Sequence, residues 1–372
     1  MDALRGVCFV FMTMDHFPGN PLARFSNPYF RLFGFFTAAL GFVFLSGLVA
    51  GTVYERHRVL HGSRSMVRRV GRRIRDLYVT QMLIFLILVA VLMLHLRGDW
   101  RWHLELVSNH PWKGLAFGSF LLYEPSYLGI LPMYCFFLLL TPPVLWLFRK
   151  GHARYVVAAS ALLWMVSGLV IGIPENPSGA DFGAFNPLSY QFLFVVGLAF
   201  GTGELSFQRL SSVRRRWLIG SCLVVAGTCF LLRQQYAFGG PFHGFLNRFA
   251  DWFSAVELGP VRLFSFAAFG VGLYWICRKI RWEAVDSHAF RWLAFVGRHS
   301  LPVFAWSILM TYAAVALFPP RPDAALRLLG VLVAVASLTI PAQVHAMIRR
   351  RERPLPAPAI AAFEVESARR VA

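Results

Sequence analysis

Charge is the first thing this chain has little of. Asp, Glu, Lys and Arg make up only 15% of its 372 residues, with 18 acids against 37 Lys and Arg. Soluble domains carry about a quarter charged residues, so this shortage, together with 57% apolar residues and a mean hydropathy of +0.56, excludes an ordinary soluble domain. Cysteine is sparse as well. Cys8, Cys135, Cys222, Cys229 and Cys277 all fall in or at the ends of apolar blocks, and none forms a CxxC pair. Neither a disulfide framework nor a cysteine metal site is indicated. No internal repeat is visible, and no low-complexity linker outside the C-terminal tail. The first apolar stretch has a weak basic flank and no small-residue cleavage site, so it reads as a retained span rather than a leader.

What is there is a series of long apolar blocks. About 20 helical residues cross the hydrocarbon core, and an open strand cannot satisfy its backbone there, so each block is expected to be a helix. The blocks fall at 4–17, 30–53, 77–96, 128–148, 155–173, 187–203, 217–232, 258–277, 300–318 and 326–348. The fold class is therefore all-α, a polytopic membrane bundle of about ten helices in one domain, residues 1–348. A disordered basic tail, 349–372, is expected after it from its charge and from Pro354, Pro356 and Pro358. The block 112–123 is too short to cross and reads as an interfacial or re-entrant helix.

The net charge of +19 would suggest nucleic acid in a soluble protein, but the basic residues sit in short loops between apolar blocks. Eight arginines lie between Glu55 and Asp76, followed by Arg149, Lys150 and Arg154, Arg209 with Arg214, Arg215 and Arg216, Arg278, Lys279, Arg281 and Arg291, and six in the tail. That is 25 in one set of loops against seven in the other. The Lys/Arg-rich side of a membrane protein is cytoplasmic, so both termini are expected inside and nucleic acid is set aside.

Ionisable groups within spans are costly and mark where function concentrates. Asp15 and His16 end the first span, Arg31 opens the second, Arg262 lies early in the eighth, and Arg298 with His299 stands at the start of the ninth. Eleven residues at about 100° each bring a helix back to within roughly 20° of its starting direction. Arg5 and His16 therefore share a face, about 16 Å apart along the axis, with Asp2 nearby on the same stripe. This stripe suits the wall of a site entered from the cytoplasm, with His16 inside the membrane; an interfacial histidine bonded to water or backbone fits equally. Asp15 is a candidate catalytic neighbour, although an ion pair with Arg31 or Arg262 is the preferred reading. Arg68, Arg69, Arg72, Arg73 and Arg75 run into the third span and suit phosphates or plain membrane anchoring. In the sequence GRHSLPVF, Ser300 is a good N-cap, which would put Arg298 at a helix N-terminus where anions bind, or at a break in a longer helix. Trp100, Trp102, Trp112, Tyr123, Tyr127 and Trp252 suit either sugar stacking or the interfacial belt.

The opening DALRGVCFVFMTMDHFP, followed by FVFLSGLVAGTVY, GILPMYCFFLLLTP, FNPLSYQFLFVVG, LGPVRLFSF and FVGRHSLPVF, resembles the OpgC group of membrane acyltransferases, within the wider acyltransferase-3 class. The match runs in order over nearly the whole chain. The resemblance implies a bacterial inner-membrane enzyme that transfers an acyl group, succinyl in the namesake, from cytoplasmic acyl-CoA to a hydroxyl of a periplasmic glucan or other envelope glycan, without a metal. The first-span histidine of that class maps onto His16. Its Arg-x-x-Arg motif maps onto Arg69 and Arg72, or in the other register Arg72 and Arg75.

The expectation is then that Arg5, Arg69, Arg72, Arg75 and Arg298 hold the phosphates of acyl-CoA, while His16 serves as general base or transient acyl carrier. Arg31 or Arg262 would neutralise a succinyl carboxylate. The competing class is a transporter or flippase of an envelope glycan or lipid, against which stand the lack of an inverted repeat and the ordered motif match. A non-catalytic partner in envelope assembly is a third reading.

Overall fold

A computed structural model describes residues 1–18, 20, 34–94, 104–170, 185–209, 211–237, 244, 248–254, 258–280, 287–317 and 323–352. Helix dominates these residues, and each of the ten expected blocks contains one. Helix α1 (Asp2–His16) has an acid in its first turn and a histidine in its last, matching the helix dipole. It stops where Phe17 turns extended ahead of Pro18, and the Asn20 amide caps the freed Met14 carbonyl at 2.9 Å. Helix α2 (Ala38–His61) ends at Gly62, whose φ of 80° suits a residue without a Cβ. Helix α3 (Ser63–Met93) starts in the arginine run, fourteen residues before the apolar block, so the basic segment is helical rather than a loop.

The short helices α4 (Glu105–Asn109) and α5 (Pro111–Ser119) precede α6 (Ile130–Arg149). As expected for 112–123, α5 is too short to cross. It lies against α3, with Gly118 on the Phe85 ring and the Tyr78 hydroxyl donating to the Ser119 carbonyl at 3.0 Å. Next come α7 (Ala153–Val170) and α8 (Pro187–Thr202), the latter started by Asn186 accepting from the Leu188 amide. They are followed by α9 (Ser212–Ala237) and α10 (Pro260–Lys279). Helix α11 (His288–Arg298) is an unexpected amphipathic helix, and α12 (Ser300–Leu317) follows it after one residue.

The tenth block holds two helices, α13 (Ala324–Ser337) and α14 (Thr339–Glu352). They break at Leu338 because Pro341 has no N–H to donate back to the preceding turn. Helix α14 continues to Glu352, so the first residues of the expected tail are helical and the rest lie outside the described residues. Among the described residues seven helical segments are long and apolar enough to cross a membrane, two shorter apolar helices occupy the fifth and sixth blocks, and α1 occupies the first.

Glycines set the tightest packing. Gly47 and Gly51 of α2 face the Phe194 and Leu198 carbonyls of α8, while Gly197 and Gly201 of α8 face the Phe44 and Leu48 carbonyls of α2. This reciprocal pair of G-x-x-x-G faces lets two backbones touch where lipid supplies no hydrophobic drive. The contacts advance in the same sense along both helices, so α2 and α8 are parallel. Polar pairs tie α8 to α7. Ser160 donates to the Gln191 side-chain carbonyl at 2.6 Å, and the Gln191 amide returns a bond to the Ser160 carbonyl at 2.8 Å. Such interhelical bonds contribute about 0.6 kcal/mol each. Phe9, Phe42 and Phe304 join α1, α2 and α12 in the core.

Candidate functional site

Helix α1 carries the candidate residues between two well-made ends. At its start, Gly6 packs on the Leu293 carbonyl and Gly297 on the Asp2 carbonyl, so α1 and α11 cross antiparallel in backbone contact. The Arg298 Nε pairs with an Asp2 carboxylate oxygen at 3.5 Å. The acid of the opening motif thus serves a neighbouring helix rather than Arg5. The Arg5 Nε is buried and, among the described residues, has no hydrogen-bond partner. Arg298 closes α11 and α12 begins at Ser300, so it does not stand at a helix N-terminus. A helix break, the other expectation for GRHSLPVF, is what forms.

At the far end of α1, His16 is half-buried. Its ring leans on Tyr127 with centroids 4.5 Å apart, and Tyr127 meets Tyr312 edge-on at 6.2 Å. The Tyr312 hydroxyl donates to the Ser126 carbonyl at 2.9 Å, which holds the turn that carries Tyr127. That turn is strained, since Tyr127 sits at φ 71°, a left-handed conformation that costs a side-chain-bearing residue roughly 1 kcal/mol or more. Strain of this kind gathers where neighbouring structure must aim a group, and here the aimed group is the ring against His16. Among the described residues neither imidazole nitrogen of His16 has a hydrogen-bond partner, which leaves both ring nitrogens for a ligand.

The other expected residues are spread more widely. The Arg69 Nη1 lies 3.0 Å from the His57 Nδ1, and an Arg75 Nη2 bonds Asp76 at 3.2 Å. Arg69, Arg72 and Arg75 are all exposed on α3. Arg262 is buried, and its Nε and Nη2 both donate to the Phe253 carbonyl at 3.1 and 3.0 Å, clamping the short 3-10 turn Ala250–Phe253. Arg31, Trp100 and Trp102 lie outside the described residues. Of the remaining aromatic set, Trp112 and Trp252 are exposed and Tyr123 is buried, while Tyr127 alone reaches His16 through a described ring contact. No cluster of three or more metal-ligating side chains occurs among the described residues.

Tyr312, which braces the turn carrying Tyr127, was missed from sequence, because a tyrosine within an apolar span reads as one more core residue.

A family model described as OpgC protein matches residues 1–350. The chain belongs to the OpgC family. The matched region takes in every helix from α1 to all but the last turn of α14, so the α1–α11 crossing and the His16 end of α1 both lie inside it. No curated protein and no solved structure matches the chain. The OpgC match and the apolar helices together describe a multi-pass helical membrane protein.

Proposed function

We propose that this OpgC-family protein is a membrane O-acyltransferase, moving an acyl group, succinyl or similar, from cytoplasmic acyl-CoA to a hydroxyl of a periplasmic glucan or other envelope glycan. The observation that carries the reading is the half-buried His16, with both imidazole nitrogens unpartnered among the described residues, held against a strained Tyr127 on the helix that also bears Arg5. The family match supports a glucan-modifying membrane protein. The distribution of arginines supports both termini in the cytoplasm, and the OpgC resemblance supports a bacterial inner membrane.

In this reading acyl-CoA approaches the Arg5 end of α1, where Arg5 and Arg298, with Arg69, Arg72 and Arg75 of α3, attract its phosphates. Arg5 and His16 are about 16 Å apart along the helix, so an extended donor reaches the imidazole from that end. As general base, His16 takes the proton of the sugar hydroxyl while the oxygen attacks the thioester carbonyl carbon. The C–S bond then breaks, and the departing thiolate of CoA takes up the proton. In the covalent variant the imidazole nitrogen attacks the thioester carbonyl, the C–S bond breaks and CoA leaves as the thiol with the ring proton; the sugar oxygen then attacks the acyl-imidazole, and its proton returns to the ring as the C–N bond breaks. Asp15, one residue away, is the nearest acid in sequence to His16, and a succinyl carboxylate would fall to Arg31, since Arg262 is committed to the Phe253 carbonyl.

The test is His16→Ala in cells lacking the native gene, with membrane insertion checked by immunoblot and envelope glycans weighed by mass spectrometry. Loss of an acyl substituent that wild-type protein restores is expected. An unchanged substituent level in the His16→Ala strain would refute the assignment.

A further inference from the structure

Helices α9 and α10 form a crevice at their charged ends, a cavity of about 200 Å³. Arg215 of α9 and Arg278 and Lys279 of α10 line it, and among the described residues no carboxylate does. Below these cations the lining turns apolar through Leu218, Ile219 and Val271. The cations are held in place by rings. The Lys279 Nζ lies 3.6 Å over Trp275, and the Arg278 guanidinium 6.0 Å over Tyr274, which itself packs on Phe207 at 5.1 Å. One turn beyond Ile219, the same side of α9 carries Leu223, which is 58% exposed.

We infer that this crevice binds the headgroup of an anionic phospholipid, with the acyl chains following the apolar side of α9 past Ile219 and Leu223. Charge and shape both select the occupant. Three cations whose lining partners among the described residues include no acid suit a phosphate, and cations at the mouth of an apolar cleft match the amphipathic order of a lipid at the interface. The cavity is smaller than the roughly 300–1,000 Å³ of sites that enclose a drug-sized ligand. A lipid headgroup whose chains remain outside therefore fits, and a fully engulfed glycan or nucleotide does not. The site is distinct from the His16 end of α1 and does not depend on the acyltransferase reading.

The full chain, purified in detergent, would be exposed to phosphatidylglycerol, phosphatidylcholine or inorganic pyrophosphate and examined by native mass spectrometry. Phosphatidylglycerol should be retained in preference to phosphatidylcholine. The paired substitution Arg278→Gln with Lys279→Gln should weaken retention about 25-fold, and Arg215→Gln, on the opposite helix, about fivefold. Arg214→Gln, exposed on α9 but outside the lining, should leave retention unchanged. Unfolding midpoints of all variants report folding, and Arg215→Gln stands as the deciding variant if the pair unfolds. Equal retention of phosphatidylcholine, equal loss on Arg214→Gln, or displacement of the lipid by equimolar pyrophosphate would each overturn the site.

Discussion

Replacing Gly297 by alanine tests the claim that the α1–α11 crossing holds the candidate site in register. A Cβ at this position would fall within van der Waals contact of the Asp2 carbonyl oxygen, and it would lie 2.7 Å from the Gly6 nitrogen and 2.8 Å from the Asp2 carbonyl carbon. Ordinary contacts begin at 3.4 Å, so the helices must part by about 0.7 Å at the least. Backbone, unlike a flexible side chain, cannot swing aside, and overpacking of this sort costs about 1–3 kcal/mol. Parting the helices also lengthens the Asp2–Arg298 pair, already 3.5 Å, and displaces α1, which carries His16. A misplacement of about 1 Å costs on the order of 100-fold in rate, so acylation should fall more than stability does. The assay is paired: unfolding midpoint of the purified protein in detergent, and acyl substituent per glycan in cells. Gly227→Ala on α9, where a Cβ meets nothing within 4 Å, is the control and should be neutral or slightly stabilising. If Gly297→Ala matches Gly227→Ala in both readouts, the crossing does not position α1 and the reasoning fails.

Tyr312→Phe removes the bond to the Ser126 carbonyl and should cost about 1 kcal/mol while lowering acylation, because the turn that aims Tyr127 loosens; unchanged acyl transfer would separate Tyr127 from His16. Arg262→Met strips two charge-assisted bonds from the Phe253 carbonyl and should destabilise by about 2 kcal/mol or more. Arg262→Lys, lacking the fork, should recover only part of that loss, and full thermal stability of both variants would instead favour a substrate role. Acid should weaken the α11–α12 junction. Burial, then His345, Arg349 and Arg298, push the His299 imidazolium below its ordinary value of 6.5, with Asp2 opposing. The folded state therefore prefers neutral His299, and its contribution is complete above pH 6.5 and declines as pH falls below it. An unfolding midpoint that drops less between pH 7 and 5 in His299→Gln than in wild type is the expected result; parallel profiles would contradict it.

The spans were legible because hydropathy is a local property, and a 20-residue apolar run needs no knowledge of its neighbours to be costly in water. The end of the first span was legible on the same grounds at Pro18, and the sixth block, 187–203, matches α8, whereas the second block was ended at 53, short of the stop at Gly62. The break at Leu338 was not anticipated, although Pro341 marks it. The G-x-x-x-G spacings at Gly47–Gly51 and Gly197–Gly201 were equally readable as close-packing faces, but nothing in either run says that the two pack on each other. Helix arithmetic placed Arg5 and His16 on one stripe of α1, and it also grouped Asp2 with Arg5. In the fold, Asp2 goes to Arg298, 296 residues away.

The amino-acid order alone thus determined the class of the molecule, a helical bundle in lipid, and it singled out His16, on one stripe with Arg5, as a candidate. Tertiary structure decided what surrounds it: the Tyr127 ring on a left-handed turn, Tyr312 bracing that turn, and Arg262 spent on a backbone carbonyl. The physical reason is the range of each effect. Hydropathy, helix period and capping act within a few residues and can be read along the chain. A ring contact between residues 16 and 127, or a glycine crossing between 6 and 293, exists only once helices far apart in sequence have chosen which faces to bury together.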